Sequence, residues 1–281
     1  MQRTFRLLAP TNLIRLNKLV ASQFQCSRRE ADVYIEKGWV TVSNGGTAVP
    51  SLITPGSRFD PSDITLDLSP ECIRHRKTRE RTILLHKPLG FVSCQPERPD
   101  QIPAIQLLTA DRFHHPTSSP ATTDPVGDPR RWRGKLAVAG RLDSNSTGLL
   151  VFTQSGHTAS QILGNTKDAK RIEKEYLVRI GGHINLLQED AIQVQKPLQA
   201  LREGILADDN GELLQATAVE VLNKEQLRIV LSTGRKHQIR RMLRAVQWPV
   251  KAIKRVRIGK WQLGNLQPGR WRFVGKDEPL V

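Results

Sequence analysis

The sequence predicts an α+β chain in two parts: a small helix-helix-hairpin module over 14–70 and a larger domain, rich in strand patterns, over 82–275. Two observations carry that division. Ser27-Arg28-Arg29-Glu30 is an S-x-x-E capping box that announces a helix start. Far downstream, 173–180 alternates Tyr176, Val178 and Ile180 with Leu177 and Arg179, the two-residue period of a half-buried strand. Between the parts, 71–81 (ECIRHRKTRER) is charged, lacks apolar periodicity and reads as a linker.

Within the module, Leu16, Leu19, Val20 and Phe24 fall at helical spacing. Ala31, Tyr34 and Ile35 form the apolar stripe of the second helix, which Gly38 stops, and 39–42 reads as a strand turning at Asn44-Gly45. The larger domain opens with a strand over 82–85 and a turn shaped by Pro88 and Gly90. Residues 97–134 read as a long insertion, with prolines at 99, 103, 116, 120, 125 and 129, and their composition predicts disorder over 115–130. Strands are then expected up to Gly140, over 149–153 and over 227–231. After the turn at Gly234, Ile239, Met242, Leu243 and Val246 line one face of a helix that ends before Trp248-Pro249.

Charge narrows the partners. The chain has 43 Lys+Arg against 27 Asp+Glu, and between Gln226 and Lys276 there are fourteen basic residues and no acidic one. A one-signed field of that size attracts polyanions, with Trp248, Trp261, Trp271 and Phe273 among the charges as stacking partners or core anchors. No window approaches 18 uninterrupted apolar residues, so no membrane span is expected. Cys26, Cys72 and Cys94 are odd in number and widely spaced, which indicates neither a disulfide framework nor a zinc site and suits a reducing compartment. Arg3, Arg6 and Arg15, with no acid before Glu30, would suit an organelle transit peptide. Periodic structure from Leu16 leaves little room for one, so the cytoplasm is expected, with mitochondrion or plastid as the alternative. His114-His115 point different ways in extended chain and have no third ligand, so no metal is expected there.

Asp143 stands in a polar turn directly after Arg141-Leu142, between two apolar runs. Loops between rigid strands carry chemistry, which makes this carboxylate a reactive-group candidate, although beside Ser144, Asn145 and Ser146 an Asp is more often a turn former. The string Gly140-Arg141-Leu142-Asp143, followed by Ser146 and Gly148-Leu149-Leu150, resembles the active-site signature of RNA pseudouridine synthases of the small-subunit and large-subunit ribosomal type. Three further stretches are similar to that family: Lys87-Pro88-Leu89-Gly90-Phe91-Val92-Ser93-Cys94 to its first motif, Lys174-Glu175-Tyr176 to its tyrosine context, and Leu231 through Met242 to its third motif. The match from Lys174 through Trp271, with Ile253-Lys254-Arg255-Val256-Arg257-Ile258-Gly259, most resembles the F-type large-subunit enzymes. Cys26-Ser27-Arg28-Arg29-Glu30-Ala31-Asp32 is similar to the S4-like RNA-binding module. Ser155 departs from the Asp that relatives often carry.

The resemblance implies an S4-like module ahead of a mixed, mainly antiparallel sheet flanked by helices. It implies an isomerase in which Asp143 attacks the ribose C1′ or abstracts a sugar proton, Tyr176 stacks on the flipped base, and Arg240 pairs with Asp143. Arg141 fills the space the base vacates. A carboxylate taken out of water is neutralised unless a cation stands close, which is the reason for an arginine there. RNA contacts are expected from Arg15, Lys18, Arg28, Arg29, Lys87, Arg235, Lys236, Arg241 and Arg244. Further expectations are no cofactor, a monomer, and ribosomal RNA as partner with transfer RNA as the alternative. The competing class, a non-catalytic RNA-binding or ribosome-assembly protein, need not keep Asp143, Tyr176 and Arg240 together. A tRNA-ligating enzyme lacks its H-x-G-H element here.

Overall fold

The computed structural model describes residues 13–24, 26–49, 53–76, 80–114, 129–134, 136–164, 171–182, 184–188, 191–206, 211–275 and 277–281. The chain divides into two compact units, the first taking residues through Glu80 together with Ser155–His157 and the second the remainder from Arg81.

In the first unit, helices Leu16–Gln23 and Arg28–Glu36 pack with the strands Thr47–Ala48, Val40–Asn44 and Thr65–Leu68 around Leu16, Val20, Tyr34, Ile35, Val42 and Leu66. The capping box forms in both directions: the Ser27 amide donates to Glu30 Oε2 at 2.6 Å and the Glu30 amide donates to Ser27 Oγ at 3.2 Å. The hairpin turns one residue later than the Asn-Gly reading has it. Asn44 pairs with Thr47, and Gly45 and Gly46, at φ 56° and 85°, supply the positive-φ pair that a two-residue hairpin turn requires.

The linker reading of 71–81 is corrected. Pro70–Arg76 is a helix, with Ser69 Oγ accepting from the Cys72 amide at 3.3 Å, and Cys72 lies fully buried in the first unit's core. Ser69-Pro70-Glu71 is a helix start of cap, N1 proline and first-turn acid. A short helix with one buried residue shows no apolar period to reveal it.

The second unit is built, among the described residues, on a nine-stranded sheet. Its main order is Ala218–Asn223, Gln226–Leu231, Lys174–Ile180, Val250–Ile258, Thr147–Thr153, Thr82–Lys87 and Trp271–Phe273. Trp261–Gln262 pairs with Val250–Ile258, and Ala137–Ala139 pairs with Thr147–Thr153. Every pairing is antiparallel except Thr147–Thr153 against Val250–Ile258, so the sheet is mixed. Alternation sorts its two faces: Ile83, Leu85, Leu150 and Phe152 enter one core, Leu84, Leu149 and Val151 the other.

The flanks of the 97–134 insertion are ordered, including Pro129 and Arg130, the last two residues of the stretch expected to be disordered. Ala104–Leu107 and Ala110–Arg112 form 3₁₀ turns, and Leu107, Leu108, Phe113 and Trp132 are buried. Phe113 and Trp132 meet Trp271 edge-on, at ring distances of 4.8 and 5.7 Å. The apolar residues of this segment outweigh its prolines, and the predicted disorder falls, over 115–128, outside the described residues. Trp248, Trp261 and Trp271 are buried, so of their two proposed roles they serve as core anchors and not as exposed stacking partners.

Candidate active site

One row across the sheet organises the site. Lys87 pairs with Gly148, Gly148 with Arg255, Arg255 with Tyr176, and Tyr176 with Ile229, so residues far apart in sequence stand side by side on adjacent strands. Gly148 is required in this row: a Cβ there would lie 2.1 Å from the Arg255 carbonyl oxygen and 2.6 Å from its nitrogen. Asp143 sits on the loop between Ala137–Ala139 and Thr147–Thr153, as its polar turn predicts, and that loop is held from several directions. Ser93 Oγ donates to the Leu142 carbonyl at 2.6 Å and accepts from the Leu142 amide at 2.9 Å. The Asp143 carbonyl accepts from the Ser146 amide at 3.1 Å, closing the turn.

The loop faces an open cleft of about 1000 Å³ whose lining includes Arg141, Asp143, Lys174, Tyr176, Arg240 and Arg255. Two cationic or cation-capable groups approach the Asp143 carboxylate. His237 Nε2 is 3.5 Å from Oδ1, and Arg240 Nε is 4.0 Å from Oδ2. Arg240 Nη2 donates to the Asn145 carbonyl at 3.0 Å, while its buried Nε makes no hydrogen bond among the described residues. A shift of about 1 Å would bring that donor onto the carboxylate, the tightening expected of catalytic contacts when substrate binds. Asp143 keeps 33% of its side chain exposed, so the site is open and the carboxylate remains partly hydrated.

The expected trio therefore shares one cleft: Asp143 on the loop, Tyr176 on the central strand Lys174–Ile180, and Arg240 in the first turn of Gln238–Ala245. The third motif bends where it must. His237 has φ 51° and precedes the helix, and Gln238 Oε1 accepts from the Thr233 hydroxyl and the Arg235 amide, fixing the turn.

The basic residues divide. Arg15, Lys18, Arg28, Arg29, Arg141, Lys236 and Arg244 are exposed, and Arg141 and Lys236 line the cleft. Lys87, expected to contact RNA, is a correction: its side chain is wholly buried, and Nζ donates to the carbonyls of Pro88 and Phe91 at 2.8 Å and Ser144 at 3.4 Å. Burial lowers its pKa to about 8 against the opposing pull of Asp143. Arg235 and Arg241 both pair with Glu212, Arg241 at 2.7 Å, and neither Arg241 nor Arg244 lines the cleft. The one-signed segment is likewise partly neutralised by acids from outside it: Arg228 meets Glu220 and Glu175, Arg257 meets Glu173 and Glu175, and Arg272 meets Glu278.

Three site residues were not expected. His237 was read only as part of its motif. Lys174 is buried, donates to the Ile172 carbonyl at 3.0 Å, and has its pKa lowered to about 8 by burial and by Arg255. Arg255 is 1% exposed. Neither had a local signal: Lys174 opens its strand, and Arg255 meets carbonyls more than a hundred residues away. Among the described residues no group of three His, Cys, Asp or Glu could hold a metal.

The sequence profile of the RNA pseudouridylate synthase family matches residues 81–245, the stretch that carries the loop, the cleft and the third motif. The chain belongs to this family. It is 30% identical to the ribosomal small subunit pseudouridine synthase A of Escherichia coli over 94% of this chain and 98% of that protein. With the dual-specificity RNA pseudouridine synthase RluF of the same organism it shares 28% identity, covering 96% and 79%. An RNA pseudouridine synthase of Aquifex aeolicus is 29% identical over 94% and 92%. A crystal structure of a pseudouridylate synthase superposes with a TM-score of 0.57 at 24% identity, covering 94% of this chain and 97% of that one, and shows the shared fold. The synthase is thus an isomerase that converts uridine in RNA to pseudouridine. The similar identities to the small-subunit and F-type relatives do not single out the F-type resemblance.

Proposed function

We propose that the synthase acts as a monomer on a uridine of ribosomal RNA, large-subunit RNA first, with Asp143 as the reactive carboxylate, Arg240 as its ionic partner and Tyr176 as the platform for the base. The observation that carries the reading is the buried Arg240 Nε, without a hydrogen-bond partner among the described residues, 4.0 Å from Asp143 Oδ2 in a cleft that Tyr176 also lines. A single chain supplies every group of this site. The target base must leave the stack before its ribose C1′ can be reached, and Arg141, exposed beside Asp143, fills the vacated space. Asp143 then either attacks C1′, forming an ester that later breaks, or removes the C2′ proton to give a glycal and returns it to C2′ when C5 bonds to C1′. In both routes the N1–C1′ bond breaks, the uracil turns against Tyr176, and C5–C1′ forms. The C5 proton is lost and N1 gains one, so the product is an isomer and no co-reactant is consumed.

Ribosomal RNA is favoured by the S4-like wording of 26–32 and by the match over 174–271. Mapping pseudouridines across total RNA from cells with and without this protein tests the assignment. One site lost from large-subunit RNA is expected; loss confined to transfer RNA would overturn it.

A further inference from the structure

We propose that Arg255 is a positioning residue that sets the geometry of the Asp143 loop through the main chain. Its guanidinium spans both ends of the loop: Nη2 donates to the Gly140 carbonyl at 2.7 Å, Nη1 to the Arg141 carbonyl at 3.4 Å, and Nε to the Leu149 carbonyl at 2.8 Å. The side chain is 1% exposed, and every hydrogen bond it makes here goes to a neutral carbonyl, so it acts as a template and not as an ion-pair partner. A planar fork of fixed donors can hold three acceptors in one geometry, which a lysine ammonium on a flexible stem cannot. The surroundings keep the fork in place. Gly148 brings the loop's exit strand against the Arg255 backbone, where a Cβ would lie 2.1 Å from the Arg255 carbonyl oxygen. The loop's entry, its exit and the strand neighbouring Tyr176 are therefore joined by one side chain.

The consequence is specific. Asp143 lies two residues after Arg141 and six before Leu149, so loosening these anchors moves its carboxylate relative to Tyr176 and Arg240 and leaves Arg15, Lys18, Arg28 and Arg29 of the first unit untouched. Misplacement of a reacting group by about 1 Å costs on the order of a hundredfold in rate.

This inference rests on Asp143 being the reactive group, and Asp143→Asn measured in the same assay separates the two claims: retained turnover there would remove that reading, whatever Arg255 does. The test is single-turnover rate at saturating RNA for Arg255→Lys and Arg255→Met, well below each variant's melting temperature, with RNA affinity and the pH–rate profile measured alongside. We expect affinity within about threefold, an unshifted pH profile, and rates reduced about tenfold for Arg255→Lys and about a hundredfold for Arg255→Met. A rate within twofold of wild type for folded Arg255→Met would overturn the proposal. So would a shifted pH midpoint, which would make Arg255 a charge partner, or failure of both variants to fold, which would assign it to the fold as a whole.

Discussion

In the first unit Arg28 and Arg29 stand exposed in the opening turn of a capped helix, whereas in the second Arg255 and Lys87 lie buried against main-chain carbonyls. Two cations at a helix N-terminus work against the helix dipole, at a cost of roughly 0.3–1 kcal/mol each, so their place there favours an external anion over stability. The buried pair donates its hydrogen bonds to main-chain carbonyls, with Asp143 acting on Lys87 only through charge. Their donors hold loops 88–91 and 140–149 in shape, as the carbonyl contacts of Pro88, Phe91, Gly140 and Leu149 show. We propose that the exposed pair captures RNA in a salt-sensitive way, whereas the buried pair holds its loops in shape independently of salt.

The largest effect should come from the centre of the second region. Asp143→Asn removes the reactive oxygen anion but little volume, so pseudouridine formation should fall by about a thousandfold or more while RNA affinity stays within a few-fold. Turnover near wild type in a preparation free of the native enzyme would sink the assignment. Tyr176→Ala should lower turnover about tenfold to a hundredfold if base stacking is its main contribution, and Tyr176→Phe much less. Equal losses would shift the role to the hydroxyl.

Changing Arg28 and Arg29 together to Ala should act only on capture. The slope of log affinity against log salt should decrease by about 1.4–1.8, and the rate at saturating RNA should be unchanged. A lower maximal rate with unaltered affinity would erase the contrast between the regions.

How much of this was legible in the sequence depends on how local the cause is. The capping box, the alternation of 174–180 and the Asp143 turn are set by near neighbours, and all three stand where the pattern puts them. Arg255 was not legible, because its carbonyl partners lie 106 to 115 residues away and a carbonyl leaves no signature in the sequence. The basic run after Gln226 pointed to RNA as the family does, but its free charge is smaller than the run suggests: Glu173, Glu175, Glu212 and Glu220 lie before it in the chain yet meet its arginines in space. The 102–113 flank was hidden by Pro103 and the prolines on either side of it, although Leu107, Leu108 and Phe113 supply the apolar residues that bury it.

The smallest effect sharpens the comparison on the buried side. Lys174 has its pKa lowered from 10.5 to about 8, so between those values the unfolded chain binds more protons than the folded one, and stability rises with pH. The unfolding free energy of wild type relative to Lys174→Met should therefore move in favour of wild type as pH goes from 8 to 10.5. Urea denaturation across that window checks it, and a constant difference would show that Lys174 carries no such burial cost.

The pairing of Arg240 with Asp143 is tested most directly by single-turnover rate against pH for Arg240→Met, with Arg244→Met as the comparison. Arg240 Nε stands 4.0 Å from the carboxylate, while Arg244 is exposed and does not line the cleft. Without that guanidinium the carboxylate loses the group that holds it in place, so Arg240→Met should lose about a hundredfold in rate at every pH tested and change RNA affinity little. Arg244→Met should weaken binding modestly with no new pH dependence. If both variants behave alike, or Arg240→Met alters binding alone, then Arg240 is one more phosphate contact and the pairing does not operate in this enzyme.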